Sequence, residues 1–425
     1  MTLRQRFKSS IRRGTGEAIL ILKEHEQADF SKEIIYTATH DLAYNSQSEG
    51  TRAAFLYDII ILAQQKKTIL DAILSCLLRQ KDDHNALHQM CEIARLAAQD
   101  GYTKARTTLY KRFYKNLKKG YTRCGEESIL ALDGKNGLLR VADVIGQKLK
   151  ANPEAWQDNF MQNQFQEDNP DIDVQAFLNA AAVTNDNIKA YIRGVEENNE
   201  LNSNDESREP VAFAYASVKS RIETGTWKYI PSAIIKELSA NDVQLLADDL
   251  LKEKNPKKLK IYLRIFGRVQ FPYSYTSILA IAENNRFAKA GLIPFALRAL
   301  TYFNAPEIRK FAMGKIAASK FSENFLPPLV MNYKKGDGKL LSATIAKLKQ
   351  QDRLHYIALY LSDIYDANPT AECKEPIELI YEKLDCSICR RNLVKILITN
   401  NVLSQKIRDE LRYDCNYEIR KLVSQ

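Results

Sequence analysis

The most restrictive feature of this sequence is the spacing of its apolar residues, which recur every three or four positions through most of its 425 residues. In SEGTRAAFLYDIIILAQQ, the residues Ala53, Leu56, Ile60 and Ala63 fall on one side of a helix. HNALHQMCEIARLAAQ and KLLSATIAKLKQ carry similar stripes, and strict two-residue alternation is scarce. Only 16 Gly and 12 Pro interrupt the chain. The pattern therefore predicts an all-α fold.

The length of the chain constrains how the helices are organised. A single hydrophobic core rarely grows to this size, so two domains or an elongated repeat array are expected. Ordinary helix and loop lengths predict roughly eighteen to twenty helices of about 10 to 16 residues. Ser31, Asp83 and Ser239 each precede an apolar run and are candidate N-caps.

A second pattern recurs among these helices. An Asn or Asp is followed, five to seven positions later, by an arginine at the start of an apolar run. The pairs are Asn45 and Arg52, Asp100 and Arg106, Asp133 and Arg140, Asn304 and Arg309, Asp385 and Arg390, and Asp414 and Arg420. The clearest segments, NAPEIRKFAMGKI, LDCSICRRNLVKIL and DCNYEIRKLV, resemble the HEAT and armadillo family of helical repeats. The spacing of Arg309 and Arg390 is close to two repeats of about 40 residues.

This resemblance implies a right-handed α-solenoid of stacked helix pairs, in which the arginine ties neighbouring turns together. A helix pair with one apolar face must stack on its neighbours, which produces a curved array with a long inner surface. No period runs cleanly through residues 150 to 300, so the array is expected to be irregular in the middle. The alternative is an irregular helical bundle in which the Asp-to-Arg spacings arise by chance.

Charge divides the chain into three segments. Residues 1–153 carry a net charge of +8, residues 154–209 carry −10, and residues 210–425 carry +12. We therefore predict an N-terminal helical array over 1–150, an acidic, Asn- and Gln-rich insert over 151–210, and a C-terminal array over 211–425. The insert is expected to be partly helical, with a hinge near 198–210, because EENNELNSNDESREP cannot bury enough apolar surface to fold.

The stretch YTKARTTLYKRFYKNLKKGYTR, residues 102–123, holds eight basic and five aromatic residues and no carboxylate. On a continuous helix its lysines would form one ridge, with Arg112 and Lys119 at the edge, opposite Leu109, Tyr110, Phe113 and Leu117. Like charges at this spacing repel one another, so an unrelieved ridge favours a polyanionic partner. An ordinary solvated face is the other interpretation.

A second basic cluster, KEKNPKKLKIYLRIFGR, begins near a proline-marked turn. The candidate binding residues of the two clusters are Lys104, Lys111, Arg112, Lys115, Lys118, Lys119, Arg123, Lys257, Lys258, Lys260 and Arg264.

Motifs for catalysis or for a cofactor are weak. The sequence has no GxxxxGK[ST], GxGxxG, GxSxG or HExxH motif, and LDGKNGLL is typical of a tight turn between helices. His84, His88 and Cys91 have a helical spacing that zinc sites use, but Cys91 also fits an apolar stripe. The scattered cysteines, including Cys386 and Cys389 of a single CxxC, are expected to be reduced and buried. We predict no cofactor, no metal and no small-molecule substrate.

The sequence also lacks a run of about 18 uncharged apolar residues and a secretory signal, so a cytoplasmic protein that does not span a membrane is expected. The leading hypothesis is a non-enzymatic helical-repeat scaffold that binds an acidic protein surface on a basic concave face. The alternatives are DNA or RNA binding through the phosphate backbone and, as a third hypothesis, an activity like that of HEAT-like DNA glycosylases. Those enzymes use Trp and Asp residues, and no carboxylate accompanies Trp227 in GTWKYIP. An acidic insert that folds back over a basic groove is a further hypothesis.

Overall fold

A computed structural model describes residues 1–203, 214–225, 235 and 237–423. Within these ranges the protein has 26 α-helices and no β-strand, so the all-α prediction is confirmed. The helices are more numerous than expected because several of them have only four to nine residues. None of the helices in these ranges is both long and apolar enough to cross a membrane. Trp227 and residues 204–210 of the predicted hinge lie outside the described residues.

The helices of the first half follow one another with short connections. They are α1 (Leu3–Arg13), α2 (Glu17–Glu24), α3 (Ser31–Thr39), α4 (Ser46–Glu49), α5 (Ala53–Leu62), α6 (Lys66–Arg79), α7 (His84–Gln99), α8 (Thr103–Phe113), α9 (Glu126–Ala151), α10 (Phe160–Asp168), α11 (Val174–Ala182) and α12 (Asp186–Ser203). Residues 198–203 of the predicted hinge thus form the end of α12.

The helices of the second half are on average shorter. They are α13 (Tyr215–Glu223), α14 (Ala240–Lys252), α15 (Pro256–Phe266), α16 (Thr276–Glu283), α17 (Asn285–Lys289), α18 (Ile293–Ala299), α19 (Pro306–Ala318), α20 (Leu329–Asn332), α21 (Asp337–Ala346), α22 (Gln351–Ala367), α23 (Lys374–Tyr381), α24 (Ser387–Thr399), α25 (Gln405–Leu411) and α26 (Tyr417–Lys421).

Two of the three candidate N-caps begin helices as predicted. The Asp83 carboxylate accepts a hydrogen bond from the Ala86 amide at the start of α7. Ser239 and Asp242 form a reciprocal capping box at the start of α14. Ser31 is instead the first residue of α3, preceded by Phe30, and its side chain and amide both donate to Asp29. The N-cap position of this helix is therefore one residue earlier than predicted.

The chain divides into two compact units. Unit 1 comprises 1–209, 385–387 and 405–425, and unit 2 comprises 210–384 and 388–404. Residues 151–203, the described part of the acidic insert, therefore belong to unit 1 together with the last helices of the chain. In unit 1 the amide of Cys415 donates to the carbonyl of Gly14 over 2.8 Å, which ties the C-terminal segment to the end of α1.

Unit 1 is built from helices that pack on near neighbours in the sequence. α7 packs against α3, α5, α6, α8 and α9, and α12 lies along α9. α5 contributes its predicted apolar stripe to this packing, and Ala53, Leu56 and Ile60 of the stripe are fully buried. The Gly134 backbone, at φ 53°, breaks the helical path inside α9, so the turn predicted at LDGKNGLL appears as a kink. The segment of α9 before this kink forms one wall of the cavity described below.

Unit 2 has its own hydrophobic core, built on the same principle. α15 packs against α13, α14 and α18, and its apolar residues Leu259, Tyr262, Leu263 and Phe266 are buried. α19 packs against α20, and α21 against α23. Each helix thus covers the apolar face of a helix close to it in the chain.

Candidate functional site

The basic stretch 102–123 does not form the single helix that its charge pattern suggested. α8 ends at Phe113, a 3₁₀ turn covers Tyr114–Leu117, and Lys118 has extended backbone angles. The Arg112 guanidinium donates to the Thr122 carbonyl over 2.9 Å, which folds the following loop back onto α8. The prediction of a helix through Lys118 is therefore wrong beyond Phe113.

The two faces of this stretch also differ from the prediction. Leu109 and Phe113 are buried as expected and Tyr110 is half-buried, but Leu117 is 37% exposed. Tyr114, for which no side was predicted, is 40% exposed. Because the chain leaves the α-helical path after Phe113, the helical phase no longer places Leu117 on the buried side. Tyr114 and Leu117 therefore face solvent, and in the sequence they lie directly beside lysines.

Arg112 does not lie on an exposed edge, as its position on a continuous helix implied. Its side chain is fully buried, and the guanidinium donates to the Asn116 Oδ1 over 3.1 Å as well as to Thr122. Asn116 in turn donates to the Cys124 carbonyl over 2.9 Å. Arg112 therefore holds the loop together from inside, and a partner in solution cannot contact it directly.

Two other candidates of this stretch have acidic partners. Lys104 Nζ lies 2.5 Å from the Asp71 carboxylate, and this hydrogen bond lowers the pKa of Asp71. Arg123 bonds the Glu126 carboxylate at 2.5 Å and the Gln157 Oε1 at 2.8 Å. The repulsion expected among these cations is thus partly relieved by groups from other helices, which the charge pattern of the stretch alone did not show.

Lys115 of the stretch, the buried Arg112 and Lys81, which follows α6, surround the ring of Tyr121. Lys115 Nζ, the Arg112 guanidinium and Lys81 Nζ lie 5.3, 5.5 and 5.9 Å from the centre of the Tyr121 ring. Cations at this distance from an aromatic face are attracted by its quadrupole. Lys115 also donates to the Leu78 carbonyl over 2.6 Å. One half-buried tyrosine thereby gathers three positive charges.

The side chains of Lys111, Lys118 and Lys119 are exposed, and no carboxylate of the described residues pairs with them. We call Lys81, Lys111, Lys115, Lys118 and Lys119, together with Tyr121, the Tyr121 surface.

In unit 2 the second cluster lies on α15. Lys258 forms an ion pair with Glu223, and Lys260 and Arg264 each lie 5.0 Å from the centre of the Phe295 ring. The side chain of Lys257 is exposed, and its backbone amide donates a hydrogen bond to the side-chain oxygen of Asn255. Most of this cluster is therefore occupied with contacts inside unit 2.

A cavity of about 680 Å³ opens in unit 1 beside the loop that follows the Tyr121 surface. Its walls come from the first turns of α7, from residues 122–131, from the kink at Gly134 and from the acidic insert between 157 and 169. The apolar part includes Leu130, Ala131, Phe160, Met161 and Phe165. A cavity of this size with an apolar wall and a few convergent polar groups is typical of small-molecule sites.

Two pairs of titratable side chains lie at this cavity, of which His88, Glu127 and Cys124 line it and Cys91 is fully buried. His88 Nε2 lies 2.9 Å from the Glu127 carboxylate, and this hydrogen bond raises the pKa of His88 and lowers that of Glu127. The interaction between the thiols of Cys91 and Cys124 lowers the pKa of Cys124 and, together with complete burial, raises that of Cys91. The buried Arg112 cation lowers the pKa of Cys124 further.

The zinc interpretation of His84, His88 and Cys91 does not describe this arrangement, because His88 turns to Glu127 and Cys91 to Cys124. Among the described residues these three do not form a group that could hold a metal ion. Sequence reasoning missed Cys124 and Glu127 altogether. In the sequence, the one feature that marks Cys124 and Glu127 is that they follow the basic stretch. Their partners on α7 lie more than thirty positions earlier, so no local pattern connects them.

No family model matches the chain, and neither a curated protein nor a solved structure does.

Proposed function

We propose that this protein is a helical-repeat scaffold whose Tyr121 surface binds an acidic protein surface. The observation that carries the proposal is the set of exposed lysines, Lys111, Lys118 and Lys119, which no described carboxylate neutralises. Bringing an acidic partner to them would relieve their mutual repulsion and would release the counterions that surround both charged surfaces.

Two ion pairs support the proposed solenoid arrangement of HEAT-like helix pairs. Arg106 of α8 bonds Asp133 of α9 at 2.6 Å, and Arg309 of α19 bonds Asp337 of α21 in a bidentate pair at 2.7 and 2.8 Å. In both cases an arginine that the sequence pattern identified reaches an aspartate of a later helix, which is the kind of tie that the proposed repeats would use. The packing of each helix on near neighbours in the chain is also the pattern expected of stacked repeats.

The Tyr121 surface and the residues next to it in the sequence favour a protein partner over a nucleic acid. Tyr114 and Leu117, exposed beside the lysines in the sequence, provide apolar contact area of the kind found at protein interfaces. Tyr121 is already covered by cations on its ring, so a base cannot stack freely on it. Nucleic-acid binding would then rest on phosphate contacts alone.

A charge-reversal experiment tests the proposal. The variant Lys111→Glu, Lys118→Glu, Lys119→Glu is compared with wild type for binding of fluorescent polyglutamate and of a DNA duplex across a salt series. A control variant reverses the exposed Lys8, Lys32 and Lys189 on α1, α3 and α12, which changes the net charge of unit 1 equally. We expect the first variant to weaken polyglutamate binding by at least about tenfold and the control to weaken it much less.

Equal losses in the two variants would show that only net charge matters, and the proposed surface would be rejected. Tight binding of the duplex with a steep salt dependence, together with weak polyglutamate binding, would replace the protein partner by a nucleic acid. Circular dichroism of each variant checks that its helices are intact.

A further inference from the structure

Two cysteines and a histidine converge at the start of α24. Cys386 directly precedes this helix, Cys389 lies in its first turn, and His355 belongs to α22. The Sγ atom of Cys389 lies 3.4 Å from Nδ1 of His355. Within the described residues, the two sulfurs and a ring nitrogen of His355 all lie within 4.8 Å of one another. Both cysteines are free and buried, and His355 is half-buried.

The CxxC sequence explains how both thiols reach this point. Residues three positions apart at the start of a helix lie near the same side, so Cys386 and Cys389 can direct their sulfurs to one place. Zinc sites use the same short spacing of paired cysteines. Negative charge on the two sulfurs would lie at the N-terminus of α24, where the helix dipole stabilises anions. No periodicity connects this motif to His355, which precedes Cys389 by more than thirty positions.

We propose that Cys386, Cys389 and His355 bind one Zn²⁺ ion through two thiolates and one imidazole nitrogen. Zn–S and Zn–N distances of about 2.3 and about 2.0 Å place tetrahedral ligand atoms about 3.6 Å (S to N) and about 3.8 Å (S to S) apart. The separation of 3.4 Å between Cys389 and His355, and the limit of 4.8 Å for the whole group, agree with these values. The described residues supply three ligands, so a water molecule or another group completes the tetrahedron.

The chemistry of the ligands favours zinc over other common ions. Thiolates are soft ligands, whereas Mg²⁺ and Ca²⁺ prefer oxygen. When zinc binds, the two thiols release their protons, and the two thiolates then balance the charge of the ion. This balance suits a site whose cysteines are only 3% and 4% exposed, because an uncompensated buried charge is costly. Cu⁺ carries a single positive charge, so two thiolates would leave a buried negative charge beside it.

Zinc affinity tests the site. Reduced full-length protein is freed of metal with a chelator and titrated with Zn²⁺ in competition with a chromophoric chelator. We expect wild type to bind one ion per chain. Cys389→Ser and His355→Asn should each bind it at least about 100-fold more weakly, because even the loss of an outer-shell partner costs about 10–100-fold in affinity. The matched controls Cys76→Ser and His84→Asn remove a thiol and an imidazole elsewhere and should keep the wild-type affinity.

Co²⁺ in place of Zn²⁺ identifies the ligands by their absorption. Thiolate-to-cobalt charge-transfer bands should appear in wild type and weaken in Cys386→Ser, and circular dichroism checks that each variant is folded. If a site variant is unfolded, Cys386→Ala and Cys389→Ala replace the serine variants. Zinc affinity that is unchanged in Cys389→Ser, losses that are equal in the control variants, or a cobalt complex without thiolate bands would overturn the proposal.

Discussion

Arg112 and Lys111 are adjacent basic residues of α8, but Arg112 is fully buried and Lys111 is exposed. Replacing each by alanine therefore compares the effect on stability of a buried cation with that of a surface cation. Arg112→Ala removes two hydrogen bonds from a buried guanidinium, to Asn116 at 3.1 Å and Thr122 at 2.9 Å. Hydrogen bonds to charged groups contribute about 1.5–3 kcal/mol each, and the acceptors that remain are left without a donor. We expect a loss of about 3–5 kcal/mol in the free energy of unfolding of unit 1.

The matched control Lys111→Ala removes the same charge from an exposed position and should change stability by no more than about 0.5 kcal/mol. Urea titrations followed by circular dichroism measure both variants, and thermal melts should show a decrease of roughly 6 to 20 °C for Arg112→Ala alone. If Arg112→Ala proves as mild as Lys111→Ala, the buried role of Arg112 is refuted. Its side chain would then belong to the solvent-facing surface that the charge pattern originally suggested.

Two further predictions concern unit 1. Because the Glu127 hydrogen bond raises the pKa of His88, the protonated ring stabilises the fold below the unfolded-state value of about 6.5, and this contribution disappears as pH rises through the folded-state pKa. The stability difference between wild type and His88→Gln in urea should therefore be largest near pH 6 and shrink towards pH 8.5; a difference that grows with pH would contradict this. Gly14 and Gly50 both have φ 72°, but a Cβ at Gly14 would lie 2.4 Å from Cys415 Sγ, whereas nothing lies within 4 Å of one at Gly50. Gly14→Ala should therefore be less stable than Gly50→Ala by about 1–3 kcal/mol in the same titration, and equal losses would show that only the backbone angle matters.

The sequence predicted well those features that depend on local periodicity. The stripe of α5 is buried at Ala53, Leu56 and Ile60, and the N-cap of α7 is at Asp83. Both follow from interactions within a few residues, the first from the 3.6-residue period and the second from an Asp side chain that satisfies a free amide.

The basic stretch shows why the same reasoning failed elsewhere. A helical projection assumes that the helix continues, and the stretch contains no Pro or Gly before Gly120 to end it. α8 nevertheless ends at Phe113, because Arg112 and Asn116 satisfy the carbonyls of the loop that follows. Tertiary hydrogen bonds thus decided where the helix ended, and the phase of every later side chain changed with it.

The cavity could not be predicted either, because its wall combines segments that are distant in the sequence. The spacing of His88 and Cys91 indicated only the part of the wall that α7 contributes. A helix places residues three positions apart near the same side, so the sequence identified the correct surface of α7. The groups that complete the two pairs, Glu127 and Cys124, come from α9 and the loop before it, and no periodicity links them to α7. A metal site needs its ligands to converge on one point, whereas here each residue of α7 has a separate partner. The chemistry of this wall therefore depends on how the loop after the Tyr121 surface packs against α7. Arg112 acts on this loop twice, because it donates a hydrogen bond to Thr122 and its charge lowers the pKa of Cys124.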